Sequence, residues 1–231
     1  MSVSATVQST AAERAFDMVC LTASLGGVFA YGRLLSALPP SFPAAIVLVQ
    51  HRSAELPDNF PTVLNRHSAL PVVALADGHV PAAGTVHVVP AGQETVFGPD
   101  GAVTLRPKKG HRLADAMFTS AAALHGPRLI AGVLSGRLDD GTAGVRHVKG
   151  AGGRVLAQDE STCQAHAYQM PASAIATGCV DFVLPLPVLA DAITALVMAP
   201  GAASMMRTAL PPWAQAVPPR TGTPMVSAET G

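Results

Sequence analysis

The chain has 231 residues, 49% hydrophobic and only 13% charged, enough to bury a sizeable core and more in keeping with a heavily buried parallel sheet than with a helical bundle. Fifteen basic residues balance fifteen acidic ones, which excludes a generic binder of nucleic-acid backbones, and no apolar run approaches the ~20 residues that membrane insertion requires. Three scattered cysteines (Cys20, Cys163, Cys179) fit neither a metal site nor a disulfide framework, and the N-terminus lacks the layout of a signal peptide, so the expected location is the cytoplasm.

Taken in order, Met1 to Arg14 is small and polar and reads as a flexible lead-in. Met18 to Ala23 is an apolar run fit for a buried strand, and a helix follows from Val28 to Leu38, stopped by Pro39-Pro40. Ala45 to Gln50 is a second buried strand that ends at His51. Glu55 to Arg66 reads as a helix made irregular by Pro57 and Pro61, and Pro71 to Leu75 as a third strand. Val86 to Val89 is a short strand, and Glu94–Phe97 and Ala102–Leu105 flank Gly98-Pro99-Asp100-Gly101, the pattern of a hairpin. A small basic cluster, Lys108 to Arg112, precedes a helix from Leu113 to Leu124.

Leu129 to Ser135 is the next emphatic strand, followed by Gly136-Arg137-Leu138-Asp139-Asp140-Gly141 and a helix from Thr142 to Lys149. Arg154–Gln158 and Asp181–Leu184 read as strands, with helices at Pro171–Ala176, where proline opens the first turn, and Val188–Val197. From 200 to 231 the composition is Pro, Ala, Ser and Thr without period, and disorder is expected there. Strands alternating with helices predict an α/β fold: a doubly wound, mostly parallel sheet with helices on both faces and a small inserted hairpin over about 94–105. Ligands of such sheets bind outside the carboxyl ends of the strands.

Ser24, His51 and Asp140 each follow a strongly predicted strand, so this topology collects them on one edge. A serine hydroxyl needs a base within hydrogen-bond reach, histidine titrates in the range to serve, and a carboxylate holds the imidazole in the useful tautomer. Each residue also has an ordinary alternative: Ser24 as a helix cap, His51 as a partner for a backbone carbonyl, Asp139 or Asp140 as the cap of the helix near Gly141. The chain order Ser, His, Asp matches neither the α/β-hydrolases nor the chymotrypsin and subtilisin types, and Thr22 stands where a G-x-S-x-G elbow has its first glycine. No nucleotide-binding glycine motif and no His/Cys ligand spacing is present.

Ala23-Ser24-Leu25-Gly26-Gly27 is similar to an A-S-T-G-G motif, and it is followed in order by Val49-Gln50-His51, Val88-Val89-Pro90-Ala91-Gly92, Leu134-Ser135-Gly136 and Asp140-Gly141-Thr142-Ala143-Gly144. Ala157-Gln158-Asp159-Glu160, Met170-Pro171 and Ala174-Ile175-Ala176-Thr177-Gly178 complete the set. Together these blocks resemble the catalytic domain of the CheB-type chemotaxis methylesterases, over a domain running from about 15 to 199. The resemblance implies Ser24 as nucleophile, His51 as base and Asp140, rather than Asp139, as third member, with Leu25, Gly26 and Arg137 around the substrate and oxyanion.

The resemblance further implies hydrolysis of γ-glutamyl methyl esters on the cytoplasmic helices of methyl-accepting chemoreceptors, deamidation of receptor glutamines by the same steps, a receptor methyltransferase as the opposing enzyme, and no metal or organic cofactor. A non-catalytic receptor-binding module of the same fold, or a serine esterase for another substrate, are the alternatives. Family enzymes often carry an N-terminal phospho-receiver domain, and with so few residues before the first strand none is expected here. Thr22 replaces a usual glycine, Leu25 a usual threonine and Arg137 a usual methionine, and the Cys163–Gln169 loop looks two residues longer and is expected to border the cleft.

Overall fold

The computed structural model describes residues 15–199 and 201–205. The lead-in expected over 1–14, and most of the tail expected to be disordered, lie outside the described residues. Where that tail begins, a single turn of helix, α7 (Ala202–Met205), stands instead of irregular chain.

Met18–Ala23 forms β1 and Ala45–Gln50 forms β2, with every residue of both buried. They are joined by α1 (Gly27–Ala37), which starts one residue earlier than the periodicity suggests because Gly26 takes the left-handed conformation (φ 82°) and turns the chain directly into the helix. The long irregular helix expected from Glu55 shrinks to α2 (Phe60–Asn65), since Pro57 and the loop before it hold the chain open. β3 (Val72–Ala74) and β4 (Val86–Val88) follow, and β5 (Gln93–Phe97) pairs antiparallel with β6 (Val103–Pro107) as the inserted hairpin.

Next come α3 (Leu113–His125), β7 (Leu129–Val133), α4 (Thr142–Gly150) and β8 (Arg154–Gln158). The chain closes with α5 (Gln169–Ile175), β9 (Phe182–Leu184) and α6 (Leu186–Met198). α5 begins two residues ahead of Pro171, so the proline occupies the third helical position, not the first.

The seven main strands lie in the order β3-β4-β2-β1-β7-β8-β9, and among the described residues each pairs parallel with its neighbours. A core containing Phe16, Tyr31, Leu34 and Leu35 of the α1 side, with Phe60 and Leu64 of α2 and Leu189 and Ile193 of α6, fills one face. A second core, with Met117 and Phe118 of α3, Val145 and Val148 of α4 and Met170 of α5, fills the other. From β1 the chain winds outward to β2, then returns to build β7 on the opposite flank of β1. The winding therefore reverses between β1 and β7, a topological switch point, and ligands of such sheets bind outside the strand ends there. Two close approaches seat these strands: a Cβ on Gly132 of β7 would stand 2.5 Å from Leu21 of β1, and Tyr31 donates its buried hydroxyl to the Val49 carbonyl at 2.7 Å.

Candidate active site

Ser24 is the first residue beyond β1, and its backbone is fixed from three directions. Its N–H donates to the Ser135 carbonyl at 2.9 Å, and its own carbonyl accepts from Gly27 N–H at 2.9 Å and from Gln50 Nε2 at 2.7 Å. Ser135 is locked in turn by Gln158, whose buried Oε1 accepts both the Ser135 N–H and its hydroxyl at 2.9 Å. Gly136 has no room for a side chain: a Cβ there would meet Met170 Sδ at 2.1 Å and Ser24 Cβ at 3.1 Å. The turn is thus clamped between β2 and the β7–α4 loop.

His51 begins the loop after β2, and its N–H donates to the Ala23 carbonyl at 3.2 Å, which ties its backbone to the residue before Ser24. Its Nε2 lies 2.8 Å from Asp140 Oδ2. An ionised carboxylate only accepts, so Nε2 carries the hydrogen and Nδ1 is left as the basic nitrogen. No hydrogen bond joins Ser24 Oγ to His51 among the described residues.

Asp140 is buried on the loop between β7 and α4, several residues past the strand end. Besides His51 it accepts the N–H of Ala114 at 2.8 Å and of Asp115 at 3.1 Å, both in the first turn of α3. The carboxylate therefore sits on the positive end of that helix. This corrects the expectation that one of the two aspartates caps α4: Gly141 occupies the cap position, Asp140 serves α3, and Asp139 pairs with Arg112 at 2.9 Å.

Leu25 and Gly26 present backbone N–H groups at the α1 N-terminus, and Arg137 presents one on the β7–α4 loop; none of the three has a protein acceptor among the described residues. Such free donors beside a nucleophile suit an oxyanion. The Arg137 side chain is exposed and has no ion-pair or hydrogen-bond partner among the described residues, and Leu25 is likewise exposed. Thr22 is buried, and its Oγ1 has no partner among the described residues. The Cys163–Gln169 loop does border the site: Gln164 lines the groove at Ser24, and Ala167 accepts the Gly136 N–H at 2.6 Å. Burial pushes the Cys163 thiol up, making it a poor competing nucleophile.

Gln50, Gln158, Arg112 and the α3 N-terminus also shape this site, and the sequence pattern alone assigns them no role. The readable signal for the two glutamines was an amide closing an otherwise apolar strand. None of the described residues forms a group of three or more His, Cys, Asp or Glu able to hold a metal.

A parallel α/β domain with a serine, a histidine–carboxylate pair and free N–H donors at its switch point has the components of a serine hydrolase. Residues 19–193 match the family model described as CheB methylesterase, and the chain belongs to that family. A protein-glutamate methylesterase/protein-glutamine glutaminase of Geobacter sulfurreducens is 40% identical over 177 residues, which cover 74% of this chain and 47% of that protein. The protein-glutamate methylesterase FrzG of Myxococcus xanthus is 34% identical, over 74% of this chain and 52% of its own length. The chain spans about half the length of these curated relatives. The crystal structure of the Thermotoga maritima CheB methylesterase catalytic domain, 30% identical, superposes with a TM-score of 0.71 over 79% of this chain and 99% of that one.

Proposed function

We propose that the protein hydrolyses γ-glutamyl methyl esters on the cytoplasmic helices of chemoreceptors, in opposition to a receptor methyltransferase. The observation that carries this reading is the His51–Asp140 pair, set on the α3 N-terminus, with the His51 N–H bonded to the carbonyl of Ala23, the residue before the clamped Ser24. Ser24 Oγ attacks the ester carbonyl carbon as His51 Nδ1 takes its proton, and the oxyanion turns toward the free N–H groups of Leu25, Gly26 and Arg137. Collapse breaks the C–O bond to the methoxy group, His51 returns the proton, and methanol leaves. Water then adds to the acyl-enzyme by the same steps and releases the glutamate carboxylate. A primary amide enters the same sequence with ammonia as leaving group, so receptor glutamines are a second substrate.

The supporting experiment measures methanol released from methylated chemoreceptor membranes and from small methyl esters. The reading expects receptor esters to be preferred; small-ester turnover with no release from receptors would transfer the activity to another substrate.

A further inference from the structure

Resting on that ester-hydrolase reading, we propose that the outward seam of α1 is the docking strip for the substrate's own α-helix, and that this helix is acidic. Val28 and Phe29, then Arg33 and Ser36, follow at three- to four-residue spacing and share one exposed stripe of α1, with Leu25 on the turn just before the helix. The opposite stripe, with Ala30, Tyr31, Leu34 and Leu35, is buried on the sheet. An ordinary amphipathic helix would turn polar side chains to water on its free side. Here Leu25, Val28 and Phe29 stand there 45%, 51% and 52% exposed, contiguous with one another and with Ser24 along a groove of about 750 Å³. Contiguous exposed apolar residues of this kind mark an interaction surface.

The shape fits a helix. Gly32 is buried beside the His67 ring, which a Cβ there would meet at 3.5 Å, and the exposed stripe continues past Phe29 through Arg33 to the small Ser36, where a second helix can approach closely. From Val28 to Ser36 the seam rises roughly 12 Å, a little over two turns. The charge selects the kind of helix. Arg33 lies in the seam with no ion-pair partner among the described residues, the groove lining includes His67 and no carboxylate, and Arg137 is a second exposed, unpaired cation on the loop that packs against Ser24. A segment bearing several glutamyl side chains is anionic wherever they are not esterified. With one ester at Ser24, carboxylates two to three turns further along the same face come opposite Arg33.

Binding is read by fluorescence anisotropy with Ser24→Ala protein, so that turnover cannot interfere. The probe is a stapled, acidic amphipathic peptide of about 20 residues with glutamine at the reacting position. Phe29→Ser and Arg33→Glu, both on the exposed face, are each expected to weaken it at least tenfold, the Arg33 effect fading with added salt, and a proline-broken peptide is expected to bind as poorly. In the Ser24 background the same two substitutions are expected to leave fluorophosphonate labelling of Ser24 at the parent rate. Parent-like affinity in both variants, or equal binding of the broken peptide, overturns the docking strip. Tight, seam-dependent binding with no methanol from the matching ester peptide supports the strip and sinks the esterase reading instead.

Discussion

Asp140 carries more than one duty. It accepts from His51 and also satisfies two N–H groups at the start of α3, so on the proposed mechanism its removal is expected to lower catalysis and stability together. Asp140→Asn keeps the shape and an acceptor for α3 but no longer enforces the tautomer with a free Nδ1. We expect kcat to fall by about 10³–10⁴ with KM little changed, as for comparable triads, measured by steady-state ester hydrolysis. Gln50 presents a complementary case. Its Nε2 holds the Ser24 carbonyl, while its Oε1, itself without a partner, packs so close to the α1 N-terminus that a Cβ on Gly27 would lie 1.9 Å away. Gly27→Ala is expected to displace this amide and lower stability by about 1–3 kcal/mol in chemical denaturation, with a loss of turnover that reports the loosened serine turn.

At the scale of elements, the loop from His51 to Asn59 depends on one ion pair. Arg52 packs on the Phe60 ring and donates to the Val89 carbonyl and to Asp58, whose carboxylate also accepts the Ala91 and Phe60 N–H groups. Partial burial pushes the Asp58 carboxyl up, but the hydrogen bond from Arg52, the two N–H donors and the Arg52 charge together hold it below its ordinary value. A carboxyl depressed in the fold contributes stability above its unfolded value, and that contribution is lost as the pH falls through the folded value. Urea midpoints should therefore drop between about pH 6 and pH 3 by less in Asp58→Asn than in the parent. An equal drop would show that the ion pair does not set the acid response. This loop is also where sequence reading loses accuracy. β1, β2 and β8 are legible to the residue because both sheet faces are buried and the strands read as unbroken apolar runs. The helix expected from Glu55 is not, because the Arg52–Asp58 pair with its long-range ties to Val89 and Ala91, together with Pro57 and not periodicity, decides the path.

For the whole molecule, the switch point between β1 and β7 is what makes a site out of dispersed residues. Ser24, His51 and Asp140 could be read as one cluster because strand ends converge on one sheet edge. That Asp140 belongs to α3 and not to α4 could not, since this rests on a contact between segments 25 residues apart. The far edge of the sheet is secured separately. Lys149 of α4 is paired with Asp181, which also accepts the Val155 N–H at 2.7 Å, and both side chains are buried. Lys149→Met strips Asp181 of that cation and should cost about 3–5 kcal/mol, lowering the thermal midpoint, while activity well below the transition is retained because the pair lies on β9's flank and not at the crevice.

The central claim is that Ser24 is a nucleophile activated by His51. It is tested most directly by mass spectrometry of the intact protein after treatment with a fluorophosphonate. The account predicts a single adduct mapped to Ser24, absent in Ser24→Ala and slowed at least a hundredfold in His51→Ala. No adduct, or one on another serine formed at the same rate in all three proteins, would contradict it.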